Sequence, residues 1–417
     1  MGSDAESQAE GQSGASDLKR VAIACQGGGI HAAFAVGVLT EILADLERKR
    51  FDLIGISGTS AGALCALMVW YGLAKKNGKT GSPREASKRL TDFWKIFAAD
   101  NTPEKLLNLA TYSAYKFREI EAPRLGLAAP VFRLNPRGAI TQAVTAALPL
   151  LGVRREYFDL ETLLKEACPE FDGIQWDDLN TRLLVGATDV LNGIEAVFDS
   201  QSHMSNDNQF HRRGKVEIPE PIWRKRLKLS LNGIAASGSL PELRQGEQID
   251  GRCYWDGLYS LNPPIREFWE DVNKGSMPNE IWVIRINPQQ MKYEPQSHAE
   301  IEDRQNELMG NLALNKELDF IAHMNMLLKY ENRRLNRKAG DAPGFFGEVY
   351  EPVTIRTIKM TAETAARLRY STKFDRSRRR IEELRTEGRA VAREWLNQWP
   401  EGADSYPEDV GYWPPQP

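Results

Sequence analysis

Apolar residues fall along the chain in runs of two kinds. Val21 to Cys25, Phe51 to Ile56, Thr181 to Ala187 and Ile281 to Ile286 have the length and the glycine or polar flanks of buried strands. Ala32 to Arg50 instead repeats Phe34, Val38, Ile42, Leu43 and Leu46 at helical spacing, and Ala61 to Tyr71 is apolar nearly throughout and long enough only for a helix. The order strand, glycine-rich loop, helix, strand, tight turn, helix predicts a parallel sheet with crossover helices. The carboxyl ends of such strands border one crevice, so Gln26-Gly27-Gly28-Gly29 and Gly58-Thr59-Ser60-Ala61-Gly62 are expected to be neighbours.

The rest of the chain extends this α/β pattern. Lys75 to Arg84 reads as a polar surface loop, Ala86 to Phe97 and Pro136 to Leu148 as helices, and Tyr112 to Leu134 carries no assignable pattern. Asn192-Gly193 marks a hairpin that returns Ile194 to Phe198 antiparallel to the strand before it. Ser200 to Pro221 is polar and aperiodic, a long loop whose length points to a lid or to disorder. Leu229 to Leu240 starts as a helix and breaks at Gly238; Asp250-Gly251-Arg252 turns a second hairpin whose return strand ends at Asp256-Gly257. Glu300 to Leu335 predicts one long amphipathic helix or two, Val353 to Ile358 a strand, and Ala362 to Trp399 mostly helix. The expected organisation is a disordered tail over 1–18, a main domain over 19–290, and a mainly helical extension over 291–417 that packs on it.

Composition narrows the class. A formal net charge of -3 gives no global reason to bind nucleic acid. Cys25, Cys65, Cys168 and Cys253 have no disulfide or zinc spacing, which suits a reducing, cytoplasmic setting. The start of the chain has no basic and apolar leader pattern, and the apolar stretch Ala61 to Leu73 is too short for a bilayer, which needs about 20 residues. Basic residues outnumber acids between Arg212 and Lys228, with Trp223 among them. That run is a solvated loop or, as the alternative, a patch for anionic headgroups that would give peripheral membrane association. Arg376, Arg378, Arg379 and Arg380 could add to it, but Glu382 and Glu383 follow, so they read as the wet face of a helix.

The chemistry centres on Ser60. A strand, a tight turn with Gly58 and Gly62 around a serine, and an apolar helix form a nucleophile elbow, where the glycines permit close approach and the helix N-terminus favours negative charge. Ser60 needs a base. A histidine triad in the order serine, aspartate, histidine would draw on His298 or His323 after Asp256, yet in that arrangement the elbow follows several strands, and here it follows only the second. Asp256, at a strand end with no basic neighbour in sequence, is the carboxylate alternative; capping of Gly257 is the commoner fate of such an aspartate. Phosphate binding by the glycine loop is a rival reading, but Gly27 to Ala32 fits neither a dinucleotide fingerprint nor a P-loop. Ala63, Leu64, Leu67 and Met68 serve as sheet-facing core or as an acyl pocket.

Gly27-Gly28-Gly29-Ile30-His31, Gly58-Thr59-Ser60-Ala61-Gly62 and Asp256-Gly257, in that order, resemble the three blocks of the patatin-like phospholipases, and Ala235 to Pro241 and Asn262-Pro263 resemble the segments flanking the aspartate. The resemblance covers roughly Arg20 to Pro288. It implies a three-layer α/β/α sandwich with a mostly parallel sheet and a Ser-Asp dyad that hydrolyses acyl esters without histidine, metal or organic cofactor. Ser60 would be the nucleophile, Asp256 the general base, and Gly27, Gly28, Gly29, Ile30 and His31 the oxyanion-hole loop. One departure stands out: the family usually carries Arg-Gly where this chain has His31-Ala32, so His31 would support the loop less well or only when protonated. The substrate would be a lipid ester, with a soluble ester or a storage polyester as alternatives and a silent scaffold as the rival outcome; acyl length, head group and oligomeric state are left open.

Overall fold

The computed structural model describes residues 18–121, 139–203, 210–213, 216–219, 223–241, 243–270, 277–291, 293–334 and 351–401. The tail expected over 1–18 falls outside these residues apart from its last position. The strands are β1 (Arg20–Cys25), β2 (Asp52–Thr59), β3 (Arg182–Asp189), β4 (Ile194–Asp199), β5 (Phe210–Arg213), β6 (Val216–Pro219), β7 (Arg224–Lys228), β8 (Glu247–Ile249), β9 (Arg252–Asp256), β10 (Glu280–Arg285) and β11 (Thr354–Lys359). The main sheet runs β11-β10-β1-β2-β3-β4-β7, with β9 also paired to β3 and β8 to β9, while β5 and β6 make a separate hairpin. From β11 to β3 every neighbour is parallel, and the chain reverses at Asn192-Gly193 so that β4 is antiparallel to β3.

The helices are α1 (Ala33–Glu47), α2 (Ala61–Leu73), α3 (Pro83–Phe97), α4 (Thr102–Glu121), α5 (Ala139–Ala147), α6 (Arg155–Phe158), α7 (Leu160–Ala167), α8 (Leu231–Ser237), α9 (Glu267–Glu270), α10 (His298–Arg334), α11 (Ala362–Arg367) and α12 (Arg378–Gln398). Strand side chains alternate between the two faces, as the period of two requires. Val21, Ile23 and Cys25 of β1 join Trp282 and Ile284 of β10 in the core under α1, α2, α3, α8 and α12. Ala22, Ala24, Ile281 and Val283 enter a second core closed by Phe268 and Trp269 and by Leu314, Leu318 and Ile321 of α10. Both faces are therefore covered, which makes a three-layer α/β/α fold with a helical C-terminal region.

That region is woven into the sheet. β11 is its edge strand, and α12 crosses α1 so closely that a Cβ on Gly37 would lie 2.1 Å from the Arg385 carbonyl oxygen, and one on Gly388 2.1 Å from that of Phe34. Glu300 to Leu335 resolves into one helix, α10. The segment Gly29–Glu47 is long and apolar enough to cross a membrane by length and composition, but most of it is buried in this core. Part of the stretch without an assignable pattern, Tyr112 to Leu134, is the end of α4; the rest lies outside the described residues.

Two expectations are corrected. Ser200 to Pro221 is not wholly irregular, since β5 and β6 pair within it. The basic run is largely structural where it is described: Arg224 and Arg226 lie in β7, Arg224 paired with Glu195, Glu267 and Glu317, and Arg226 with Asp199. Trp223 does remain exposed. Arg378, Arg379 and Arg380 are ion-paired with Asp100, Glu383 and Asp375, whereas Arg376 is not on a wet face: its guanidinium is sandwiched by Phe97 and Tyr157 and donates to their carbonyl oxygens.

Candidate active site

Ser60 connects β2 to α2 with φ 55 and ψ -130, a left-handed backbone that a serine adopts only when its surroundings impose it. The surroundings are tight. A Cβ on Gly58 would lie 2.4 Å from the Gly62 carbonyl oxygen, and one on Gly62 would lie 2.3 Å from that of Cys25. Both elbow glycines are thus demanded by close approach. The Ser60 N–H donates to Ser237 Oγ at 2.9 Å, and Ser237 Oγ–H donates to the Gly186 carbonyl at 2.6 Å, so α8 pins the turn to β3.

The glycine loop leaves β1 and packs on the elbow, where a Cβ on Gly27 would stand 2.9 Å from that of Ser60. Gln26 anchors it, accepting from the N–H groups of Ile286 and Asn287 and donating to Asn311 of α10. Gly27 N–H donates to Asn262 Oδ1 at 2.6 Å, and its carbonyl accepts from Asn287 Nδ2 at 3.2 Å. The Gly27 amide is therefore already used. Those of Gly28 and Ala61 have no acceptor among the described residues.

The aspartate arrives by register. Ala187 to Asp189 of β3 pair with β4 on one edge and with β9 on the other, the same edge that β2 occupies lower down. β2 rises to Thr59 opposite Gly186, and β9 descends to Asp256 opposite Ala187. These two positions are consecutive on β3, about 3.3 Å apart along a strand. Gly257 makes the meeting possible, since a Cβ there would come within 2.5 Å of the Gly186 oxygen and 2.9 Å of Thr59 Cγ2. Asp256 is fully buried; its Oδ1 accepts from Leu258 N–H at 2.8 Å, the local cap expected of Asp-Gly, and the residue is among those lining the cavity.

Ser60, Asp256, Gly27, Gly28, Gly29 and Ile30 line one cavity of about 350 Å³. Its other walls are mainly apolar, with Leu64, Leu107, Leu160, Leu163, Leu258 and Phe374 among them, as in sites for apolar small molecules. Of the α2 residues with two readings, Leu64 faces the cavity, while Ala63, Leu67 and Met68 belong to the core. No histidine is among the lining residues; His323 sits exposed on α10 with Nδ1 against the Asp319 carbonyl.

His31 lies behind the loop and not on the cavity wall. Its Nε2 bonds Thr372 Oγ1 at 2.7 Å, and burial, with the charges of Lys373 and Arg380, holds its pKa well below the ordinary 6.5. His31 is neutral at neutral pH, which corrects the idea that its protonation steadies the loop. The sequence reading also missed Ser237, Asn262, Asn287 and Lys373 as parts of this site. Asn262-Pro263 and the segment with Ser237 were visible as motifs without a role, and Lys373 carried no signal.

The family model for Patatin-like phospholipase matches residues 23–269. No curated protein matches the chain. Among solved structures, VipD from Legionella pneumophila is 14% identical, with 88% of this chain and 67% of that one covered at a TM-score of 0.32. The type III effector ExoU is 13% identical over 93% of this chain and 55% of its own, at a TM-score of 0.31. ExoU from Pseudomonas aeruginosa in complex with SpcU is 14% identical over 72% and 51%, with a TM-score of 0.22. The chain thus spans between half and two thirds of these proteins, and scores this low establish no residue correspondence.

Proposed function

The chain belongs to the patatin-like phospholipase family, and from that premise we propose that it is a serine hydrolase of lipid carboxylic esters working through Ser60 and Asp256. The observation that carries the proposal is the meeting of β2 and β9 at Gly186 and Ala187 of β3, with Ser60 and Asp256 both among the residues lining one mainly apolar cavity beside the glycine loop.

In this reading Ser60 Oγ adds to the acyl carbonyl as its proton passes to Asp256. The oxyanion forms beside the Gly28 and Ala61 amides, with the α2 N-terminus behind it; each such donor is worth about 10²–10³ in rate. Collapse breaks the ester C–O bond, and the leaving alkoxide takes the proton from Asp256. Water then adds to the acyl-enzyme and gives a proton to Asp256; the second collapse returns it to Ser60 and frees a carboxylic acid. The uncommitted Gly28 and Ala61 amides favour them over Gly27 for this task. The proposal extends to location and to the surface the protein works on. Four buried free thiols support a reducing, cytoplasmic setting, and the exposed Trp223 supports peripheral contact with a membrane surface.

The test is turnover of short and long p-nitrophenyl esters and of mixed-lipid vesicles by wild type, Ser60→Ala and Asp256→Asn. Turnover should fall at least about 10³-fold in the serine variant and about 10²–10⁴-fold in the aspartate variant. A wild type inert on every ester would leave the silent scaffold standing, and preference for soluble or polymeric esters would redirect the substrate assignment.

A further inference from the structure

The far wall of the cavity is built by residues beyond the family match. The 3-10 turn Tyr370–Phe374, between α11 and α12, supplies Tyr370, Lys373 and Phe374 to it. Lys373 packs directly on the glycine loop: Gly29 has φ +57, and a Cβ there would stand 2.5 Å from the Lys373 carbonyl oxygen. Lys373 as a whole is 7% exposed. It donates to Asn287 Oδ1 at 3.1 Å and to Asn306 Oδ1, and the same Asn287 donates to the Gly27 carbonyl at 3.2 Å. Loop and lysine therefore share one asparagine.

Lys373 forms no ion pair among the described residues. The carboxylates that act on it, Asp303 and Glu307 of α10, stand farther off, and Glu307 is paired with Arg304. Burial lowers the lysine's pKa against their pull. On the loop side His31 is neutral, and Arg380 of α12 is already paired with Asp375 and Glu383. A buried charge with no carboxylate in direct contact is incompletely compensated. It is tolerable where a negative charge develops beside it, and low-dielectric surroundings strengthen that attraction. Arg376 does not share the role, because its guanidinium is taken up by the Phe97 and Tyr157 carbonyls and rings and ties α3 to α6.

We propose that Lys373 is a positioning residue of the reaction, a cation brought by the C-terminal region to hold the glycine loop and stabilise the oxyanion formed at Ser60. This rests on Ser60 being the nucleophile. An ester is neutral before attack, so the lysine acts on the transition state and governs kcat more than KM.

The experiment compares wild type, Ser60→Ala, Lys373→Met and Lys373→Arg on a short neutral p-nitrophenyl ester, with melting curves to check folding. Lys373→Met should lower kcat about 10- to 100-fold with KM within about twofold, Lys373→Arg should recover most of the loss, and affinity for an alkyl boronic acid, which forms a tetrahedral anion on serine, should fall in parallel with kcat. Should Lys373→Met not fold, Asn306→Ala loosens the ammonium and predicts the same pattern in weaker form. A folded Lys373→Met with wild-type kcat overturns the proposal, as does a change confined to KM, which would make Lys373 a substrate-binding cation. Turnover surviving in Ser60→Ala would instead remove the nucleophile assignment underneath it.

Discussion

Two of the places where the protein buries positive charge treat it in opposite ways. At the β4–β7 side, Arg224 is enclosed by Glu195, Glu267 and Glu317, and Arg182 and Arg226 by Asp199. Glu317 also accepts from the N–H groups of Ile265 and Arg266, so sheet, loop and α10 close around a compensated cluster. At the cavity, Lys373 has amide oxygens for hydrogen-bond partners, and the carboxylates that act on it, Asp303 and Glu307, stand beyond ion-pair distance. The first arrangement satisfies every charge and points to structure. The second leaves charge available where chemistry is proposed.

The comparison can be broken from either side. The largest stability effect should come from Arg224→Met, which takes the close cation from the buried carboxylates of Glu267 and Glu317 and costs about 3–5 kcal/mol. Chemical denaturation would show it, and a loss below about 1 kcal/mol would mean the cluster is not the fastening described. Ser237→Ala comes next: it removes the bridge between the elbow and β3, leaving two backbone groups unsatisfied at about 1–3 kcal/mol, and should reduce kcat more than it raises KM. An unchanged kcat would show that the elbow keeps its geometry unaided. The smallest effect is on acid stability. Burial pushes Glu317 upward, but the Arg224 charge and hydrogen bonds, with help from Arg266, bring its pKa down from 4.5 to about 2. A folded pKa below the unfolded one gives stability that is full above about pH 4.5 and lost as pH falls toward 2. Melting temperatures across that window should decline in wild type and decline less steeply in Glu317→Gln, because Glu104 and Glu280, also held near 2, keep their share of the acid sensitivity.

What could be read from the sequence divides along the same line. β1, β2, α1 and α2, with the glycine loop and elbow, were legible because strand and helix periods and glycine placement are local signals. The hairpin ending at Asp256 was legible from its Asp250-Gly251 turn, but its meeting with β2 was not, because that depends on two strands sharing one edge of β3. α4 escaped notice because Leu106, Leu109 and Phe117 are exposed and blur its apolar stripe. The basic run misled because charge in sequence does not show that Arg224 and Arg226 are enclosed by acids from β4, α9 and α10. Capture of the Gly27 amide by Asn262 spans 235 positions and the contact of His31 with Thr372 spans 341, so neither leaves a local trace.

The central claim is that Ser60 is the nucleophile and Asp256 its base. Its most direct measurement is reaction with an alkyl fluorophosphonate followed by peptide mass mapping. Wild type should carry the adduct on Ser60 alone, Asp256→Asn should label at least about 100-fold more slowly, and Ser60→Ala should not label. Label on another residue, or equal labelling rates in wild type and Asp256→Asn, would contradict the account.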